Sequence, residues 1–300
     1  MKFGYVSLIG RPNAGKSTLL NRLVGAKIAI VSDKPQTTRT RILGVRTSPE
    51  AQVVYVDTPG IHRPLHRMNV RMVDAALETI REVDLLGLVV DASEPRGSGD
   101  RFLLDLVKHA PPPVCLVLNK IDRIRKSRLL PLIEAYAKEA SFAEIVPISA
   151  ATGENVDRLE RVILERLPEG EPLYPAGYLT DQPERVLAAE IVREKLLAST
   201  RAELPFATAV LVDRFEETPG EPPLVRIYAT IVVERESQKP IVIGHGGEMI
   251  KRIGTAAREE LERLFGARVF LDLRVRVREA WREDDRTLAE LGLERPRKGA

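Results

Sequence analysis

The stretch Gly10-Arg11-Pro12-Asn13-Ala14-Gly15-Lys16-Ser17-Thr18 fits the spacing G-x-x-x-x-G-K-[ST]. Its glycines let backbone N–H groups turn inward onto phosphate oxygens. The run after it, from Lys16 to about Val24 and closed by Gly25, would aim the positive end of a helix at the same phosphates. Lys16 would then reach β- and γ-phosphates, and Ser17 would ligate Mg²⁺.

Three later signatures could complete such a site. Asp57, in "DTPG", suits a direct or indirect Mg²⁺ role, and Gly60 could lend its N–H to a γ-phosphate. "NKID", Asn119 to Asp122, addresses the base. A carboxylate at Asp122 can accept both N1–H and N2–H of guanine, whereas adenine offers no donors there. Two charge-assisted hydrogen bonds imply discrimination of roughly 10²–10⁴. Asn119 would support the loop and the base edge, and Lys120 would cover the ring face. In "SAA", Ser149-Ala150-Ala151, the Ala150 N–H would meet the guanine carbonyl.

A second glycine turn, Gly244-His245-Gly246-Gly247, has no Lys-Ser pair after it, so it does not suit a metal-bound triphosphate. A G-x-x-G turn between two short helices is the KH pattern, in which the backbone lies against about four unstacked nucleotides. Ile243, Ile250 and Ile253 could floor the groove. Arg274, Arg276 and Arg278 alternate in "RVRVR" and so share one strand face. With Lys239, Lys251 and Arg252 they could form a phosphate-binding stripe. From Glu184 onward there are 21 basic and 21 acidic residues, so the case for nucleic acid rests on local placement and not on bulk charge.

The elements that must position these residues follow from the apolar pattern. Short apolar runs at 5–9, 53–56, 85–90, 114–118 and 145–148 alternate with amphipathic stretches such as 70–80 and 156–167. That pattern predicts a P-loop-type α/β unit with a mainly parallel sheet and helices on both faces. Ligands of such sheets bind beyond the carboxyl ends of the strands, where all four signatures fall. Proline and glycine then mark a connector. A helix, two strands, a short helix, the glycine turn, a long helix over 248–265 and a last strand predict a small α+β unit. The expected division is 1–170 nucleotide-binding, 171–184 linker, and 185–300 KH-type with a C-terminal helix.

The whole chain has 300 residues, 44% hydrophobic and 30% charged, with net charge +3. No apolar run reaches the ~20 residues that span a bilayer, and the apolar part of the N-terminus is too short for a secretory leader. Cys115 is the single cysteine, so no internal disulfide forms and the cytoplasm is the expected compartment. It reads as a buried strand residue. His62 and His66 are four apart with Pro64 between them, which argues against a helix and reads as a mobile second switch rather than a metal site. Trp281 reads as packing for the C-terminal helix.

The four nucleotide signatures together resemble the TRAFAC-class GTPases. By that resemblance "QTTRTR", Gln36 to Arg41, is the first switch, with Thr37 or Thr38 closing on Mg²⁺ and the γ-phosphate. Ile61 stands where Ras-type GTPases have a water-orienting glutamine, which implies that intrinsic hydrolysis is slow or is organised by another group. Asn13 matches GTPases that use K⁺, and it either ligates K⁺ or stabilises the loop. The nucleotide unit followed by a KH-type unit is similar to the Era family, from about Phe3 to Leu293. "KPQTTRTRILG", "LPFATAVLVDRFEE", "IVVERESQKPIVIGHGGEMIKRIG" and "AWREDDRTLAELG" carry the likeness. It implies a monomeric switch that cycles between GTP and GDP. It implies binding to 16S ribosomal RNA near its 3′ end, a role in 30S subunit assembly, and peripheral contact with the inner face of the cell membrane. The alternative is a GTP-gated protein- or membrane-interaction switch in cell-cycle control.

Overall fold

The computed structural model describes residues 1–34, 37–60, 66–200 and 204–293. The first half runs β1 (Lys2–Gly10), α1 (Lys16–Val24), β2 (Ile42–Thr47), β3 (Ala51–Asp57), α2 (Arg67–Ile80), β4 (Leu85–Asp91), α3 (Ser98–Lys108), β5 (Val114–Asn119), α4 (Leu129–Ala137), β6 (Glu144–Pro147) and α5 (Val156–Arg166). Its sheet has the order β2-β3-β1-β4-β5-β6. Only β2 is antiparallel to its neighbour. The expected P-loop α/β fold is borne out.

The strand order reverses around β1, so the crevice at its carboxyl end is where an open α/β sheet takes its ligand. Apolar side chains leave both sheet faces. Val6 and Leu8 pack with Leu19, Leu23, Leu159 and Ile163 from α1 and α5. Leu86, Leu88, Leu116 and Leu118 pack with Leu103, Leu104 and Val107 of α3. Each near-continuous apolar run is thus a strand buried on two sides.

The second half runs α6 (Glu184–Ser199), α7 (Leu204–Ala207), β7 (Thr208–Thr218), β8 (Leu224–Val233), α8 (Lys239–Ile243), α9 (Glu248–Phe265), β9 (Arg268–Val277) and α10 (Asp285–Glu290). β7 and β8 are antiparallel, and β9 joins β8 in parallel as an edge strand. One sheet face carries Val210, Ile227, Ile231 and Val269 against Ile191 and Leu196 of α6 and Ala257 and Leu261 of α9. On the other face, Ala209, Leu211 and Val232 are covered by Trp281, Leu288 and Leu293, together with Met68 and Met72 of α2.

Residues 171–184, expected as a linker, run along the edge of the first sheet. Val45 N–H donates to Leu179 O (2.8 Å) and Thr180 Oγ1 to Leu43 O (2.7 Å). Gln52 Oε1 accepts from the Leu173 and Tyr174 N–H groups. The segment therefore covers the β2 edge, whose free N–H and C=O groups would otherwise face water.

Candidate functional site

The loop between β1 and α1 turns through left-handed backbone at Asn13 (φ 64°) and Gly15 (φ 92°). A Cβ on Gly10 would lie 2.3 Å from the Val89 carbonyl, and one on Gly15 2.3 Å from Asn119 Nδ2. Both positions therefore need glycine for space. Lys16 is buried, and its ammonium donates to the carbonyls of Gly10 (3.2 Å) and Arg11 (3.1 Å).

Beside it sits a tight oxygen cluster. Ser17 Oγ donates to Asp57 Oδ2 at 2.7 Å, and Thr38 Oγ1 reaches the same oxygen at 3.2 Å. The two hydroxyls are 2.7 Å apart. Burial pushes the Asp57 carboxyl above its usual range, against the pull of Lys16 and the hydrogen bonds from Ser17 and Thr38. Burial also pushes Lys16 down, against the attraction of Asp57. Asp57 Oδ1 is buried and has no hydrogen-bond partner among the described residues. A cation would relieve that orphaned oxygen, and two hydroxyls with a carboxylate are hard donors that suit Mg²⁺. The sequence leaves two threonines open; Thr38 is the one in this cluster. Thr37 Oγ1 donates instead to Lys34 O at 2.6 Å.

The base-reading loops are tied to the phosphate loop through one side chain. Asn119 Nδ2 donates to Ala14 O, and Asn119 Oδ1 accepts from the Ala150 N–H, each at 2.9 Å. The Ala150 N–H, expected to face the guanine carbonyl, is thus taken up by Asn119, because that carboxamide needs a donor where it crosses between the loops. Arg22 of α1 holds the same loop through Ala150 O (2.6 Å) and Ala151 O (2.7 Å). Ser149 is buried, and its Oγ accepts from Thr152 N–H (3.1 Å). Lys120 lies near Gly15, and its ammonium pairs with Asp91 at 2.5 Å. Burial works to raise the Asp91 pKa, but hydrogen bonds from Lys120 and Ser93 outweigh it and hold the carboxyl low. Asp122 is exposed, and its carboxylate has no partner among the described residues, which leaves both oxygens open to a base edge. Gly60 packs against Pro12, where a Cβ would come within 2.7 Å of the backbone nitrogen.

Of these groups the phosphate loop from Asn13 to Ser17, Gly60, Asp91 and Lys120 line a cleft of about 1450 Å³ with Thr18, Thr37 and Thr38, closed on one side by Phe206 and Arg282 of the second half, whereas Asp57, Asn119, Asp122 and Ala150 are not in its wall. That volume exceeds the roughly 300–1,000 Å³ of a single small-ligand site, because the cleft continues between the two units. Residues 27–34 and 37–39 bridge that gap. Lys27 pairs with Glu194 and Glu260, and Val31 N–H donates to Glu194 Oε1 at 2.9 Å. Ile30 is buried in the core of the second unit. Arg193 donates to Thr37 O. Arg39 is buried, donates to Thr208 O (2.9 Å), and lies 5.4 Å from the Trp281 ring centre. Arg39 lies inside "QTTRTR" but nothing in that motif assigns it this contact, and Arg193 carries no motif at all.

The second glycine turn is exposed at His245 and Gly246. Gly244, Gly246 and Gly247 have φ of 77°, 56° and 84°. At Gly244 a Cβ would meet Met249 at 2.6 Å, whereas the space beside Gly246 and Gly247 is open. Ile243 and Ile250 are half-buried beside the turn, and Lys251 and Arg252 are exposed on α9. Three expectations change. Ile253 is fully buried and belongs to the core, so it cannot floor a groove. Arg274 and Arg276 face away from α9. The odd residues of β9, such as Val269 and Leu273, point to the helices, and alternation sends the even ones to the opposite face. Arg278 is drawn to Glu290 and Thr287 Oγ1. The sequence reading also missed Ile241, 51% exposed on the helix that leads into the turn.

The remaining candidates resolve simply. Cys115 is buried in β5, and burial pushes its thiol up to about 11. Trp281 is fully buried and donates to Ala207 O at 2.9 Å. His66 pairs with Glu283 (3.0 Å). Gln36, Ile61, His62 and Pro64 lie outside the described residues. Among the described residues no His/Cys/Asp/Glu group of three could hold a metal, and no helix is long and apolar enough to cross a membrane.

Residues 5–120 match the 50S ribosome-binding GTPase family, and residues 203–282 match the KH domain family. The GTPase Era of Geobacter metallireducens is 53% identical over 289 residues, covering 96% of this chain and 97% of that protein. The GTPase Era of Heliobacterium modesticaldum is 47% identical over 294 residues, covering 98% of each. A crystal structure of an Aquifex aeolicus Era variant bound to GDP and aluminium tetrafluoride superposes with a TM-score of 0.92 at 43% identity, over 98% of this chain and all of that one. A second, of Era with MgGDPNP and nucleotides 1506–1542 of 16S ribosomal RNA, also has a TM-score of 0.92 at 43% identity, over 98% of this chain and 99% of that one.

The oxygen cluster separates the two switch threonines. Thr38→Ala should lower single-turnover GTP hydrolysis by roughly 10², whereas Thr37→Ala, which loses only a bond to Lys34 O, should keep most of the rate. Equal losses would remove the distinction.

Proposed function

The chain belongs to the Era family of GTPases, and we propose that it is a GTP-hydrolysing switch that binds 16S ribosomal RNA near its 3′ end and assists small-subunit assembly. One observation carries the reading: the segment that brings Thr38 to Ser17 and Asp57 is also held by the unit that bears the G-x-x-G turn. We place the GTP-binding unit at 1–170, the connector at 171–184 and the RNA-binding unit at 185–300. A monomer suffices, since both sites lie on one chain.

In this reading Lys16 leaves its loop carbonyls for the β- and γ-phosphates, where its charge stabilises the transition state. Gly60, with no side chain against Pro12, presents its N–H to the γ-phosphate. Asp122 accepts from guanine, Asn119 keeps the base and phosphate loops in register, and the stem of Lys120 lies over the ring. Ser17, Thr38 and Asp57 would hold Mg²⁺, which supplies positive charge to the phosphate oxygens when bound. Ile61 cannot hydrogen-bond a water, so basal turnover is slow unless another group orients that water; if the two sites are coupled, bound RNA should raise it.

Asn13 Nδ2 donates to Asp33 O at 2.7 Å. Only the amide nitrogen can make that bond, so the carboxamide oxygen stays available to a cation. That supports K⁺ as the monovalent ion beside the triphosphate. Turnover should be faster in K⁺ than in Na⁺ at matched ionic strength, and equal rates would leave Asn13 as a loop-stabilising residue only.

The function is tested at the second turn. His245→Asp with Gly246→Asp puts two negative charges on an exposed loop; the space beside Gly246 is open, and aspartate is among the residues that best tolerate its left-handed backbone (φ 56°), at a cost of about 1 kcal/mol, so the fold should persist. Affinity for 16S 3′-end RNA should fall steeply, most of all at low salt, with RNA-stimulated turnover lost and basal GTP binding kept. RNA binding equal to the parent would refute the RNA assignment. Binding by the parent to anionic vesicles but not to RNA would favour the peripheral-membrane alternative.

A further inference from the structure

"NKID" marks Lys120 in the sequence, but nothing marks the group that holds it. Asp91 ends β4, and the register places it beside Asn119, the residue before Lys120. The two strand ends are tied by the Ala92 N–H, which donates to Asn119 O at 2.9 Å. Asp91 Oδ2 takes the Lys120 ammonium at 2.5 Å. Asp91 Oδ1 accepts from the Ser93 N–H (2.9 Å) and from Ser93 Oγ (2.6 Å). Both carboxylate oxygens are engaged, so the turn after the strand fixes the direction in which Asp91 meets the lysine. The Lys120 side chain is 19% exposed and that of Asp91 13%, which sets the pair apart from solvent-exposed ion pairs that contribute little.

Lys120 is constrained at three points. Its backbone is left-handed, with φ 64° and ψ 36°, a conformation that residues other than glycine seldom take. Along the stem, Cε runs past Gly15, where a Cβ would lie 3.9 Å away. At the tip, the ammonium is on Asp91. A lysine carries its charge on a flexible four-carbon stem, and a free one samples many rotamers. Held at both ends, this stem lies as an apolar strip along the wall of the nucleotide cleft, which Lys120 and Asp91 both line.

We propose that Asp91 is a positioning residue for nucleotide binding: it holds the Lys120 stem where the face of the base will rest, so that the side chain is ordered before the nucleotide arrives. The inference rests on the guanine-nucleotide reading above. Ordering a long side chain in advance removes an entropic cost from binding. A face contact with an apolar stem does not sense the donors on the base edge. Asp91 therefore sets how tightly and how long the nucleotide is held, while Asp122 sets which base is accepted. Asp91 has no part in the chemical step, because its hydrogen bonds go to Lys120 and Ser93, whereas the Mg²⁺ cluster is built from Ser17, Thr38 and Asp57. The competing account is that Asp91 only shapes the turn with Ser93, and that account makes no use of Lys120.

The test uses the full chain and follows release of fluorescently labelled GDP and IDP. IDP lacks the exocyclic amine of guanine but presents a similar ring face. Asp91→Asn keeps an oxygen for Ser93 and removes the charge that holds Lys120. It should speed GDP release roughly five- to tenfold, and IDP release by the same factor. Single-turnover hydrolysis at saturating GTP should change by less than about twofold. Asp91→Ala, which leaves Lys120 no acceptor at that position, should show the same pattern at least as strongly, and the conservative Asn variant covers the case in which Ala disturbs the turn. Lys120→Met keeps most of the stem without its ammonium. In that background Asp91→Asn should add nothing, as expected of two residues that act through one contact. Release unchanged in both Asp91 variants would overturn the proposal. So would additive losses in the double variant, which would assign Asp91 to the turn, or a loss confined to GDP, which would place it at the base edge. A parent with no preference for guanine over adenine nucleotides would take the base reading down together with the proposal. A parent that prefers guanine, with Asp91 variants indifferent, would sink the positioning role alone.

Discussion

The arrangement depends on residues 27–34 and 37–39 being held by the second unit while Thr38 reaches the phosphate site. Arg39 is one of the groups that hold them. Burial above all, then neighbouring Arg193 and Arg282, press its pKa down to about 9, against the pull of Glu190. A buried guanidinium must recover its lost hydration from local partners. It finds two backbone carbonyls and the Trp281 face, but Arg39 Nε is left without a hydrogen bond among the described residues. A contact that is specific yet incompletely satisfied can be made in one state and released in another. Thr38, one residue away, is held by groups that would hold Mg²⁺, so occupancy of the nucleotide site bears directly on whether Arg39 stays docked.

Charge placement reinforces the same joint. Lys27 from the first unit and Lys195 from α6 both meet Glu194 and Glu260. Burial tends to raise the Glu260 pKa, but the two lysines outweigh it and hold the carboxyl low. Helix α2 docks as well. Arg71 of α2 donates to Leu293 O and pairs with Asp285, and Met68 and Met72 pack under Trp281. The segment from Trp281 to Leu293 thus contacts α2 and, through Trp281, Arg39.

Local patterns made much of this legible in sequence. The phosphate loop, "DTPG", "NKID" and "SAA" each follow an apolar strand, and the fold brings all four to one edge. The G-x-x-G turn was equally visible, because positive φ and close approach at Gly244 need glycine. What stayed hidden depends on tertiary contact. Thr37 and Thr38 are identical residues side by side, and only the position of Asp57 chooses between them. β2 escaped notice because Gly44 and the exposed Arg46 and Thr47 interrupt its apolar pattern. Period two showed that Arg274 and Arg276 share a face, but it could not say which face α9 covers. Residues 171–184 looked like a free connector because their hydrogen bonds go to a distant strand edge.

The central claim is that the contacts of Lys27, Val31, Thr37 and Arg39 with the second unit carry the state of the nucleotide site to the RNA-binding unit. The most direct measurement is the ratio of RNA affinities with a non-hydrolysable GTP analogue and with GDP, compared between the parent and Arg39→Leu, with nucleotide affinity measured in parallel. The account predicts a parent ratio within the usual coupling range of roughly 5–150, falling toward one in the variant while both nucleotides still bind. A ratio unchanged by the substitution would contradict it.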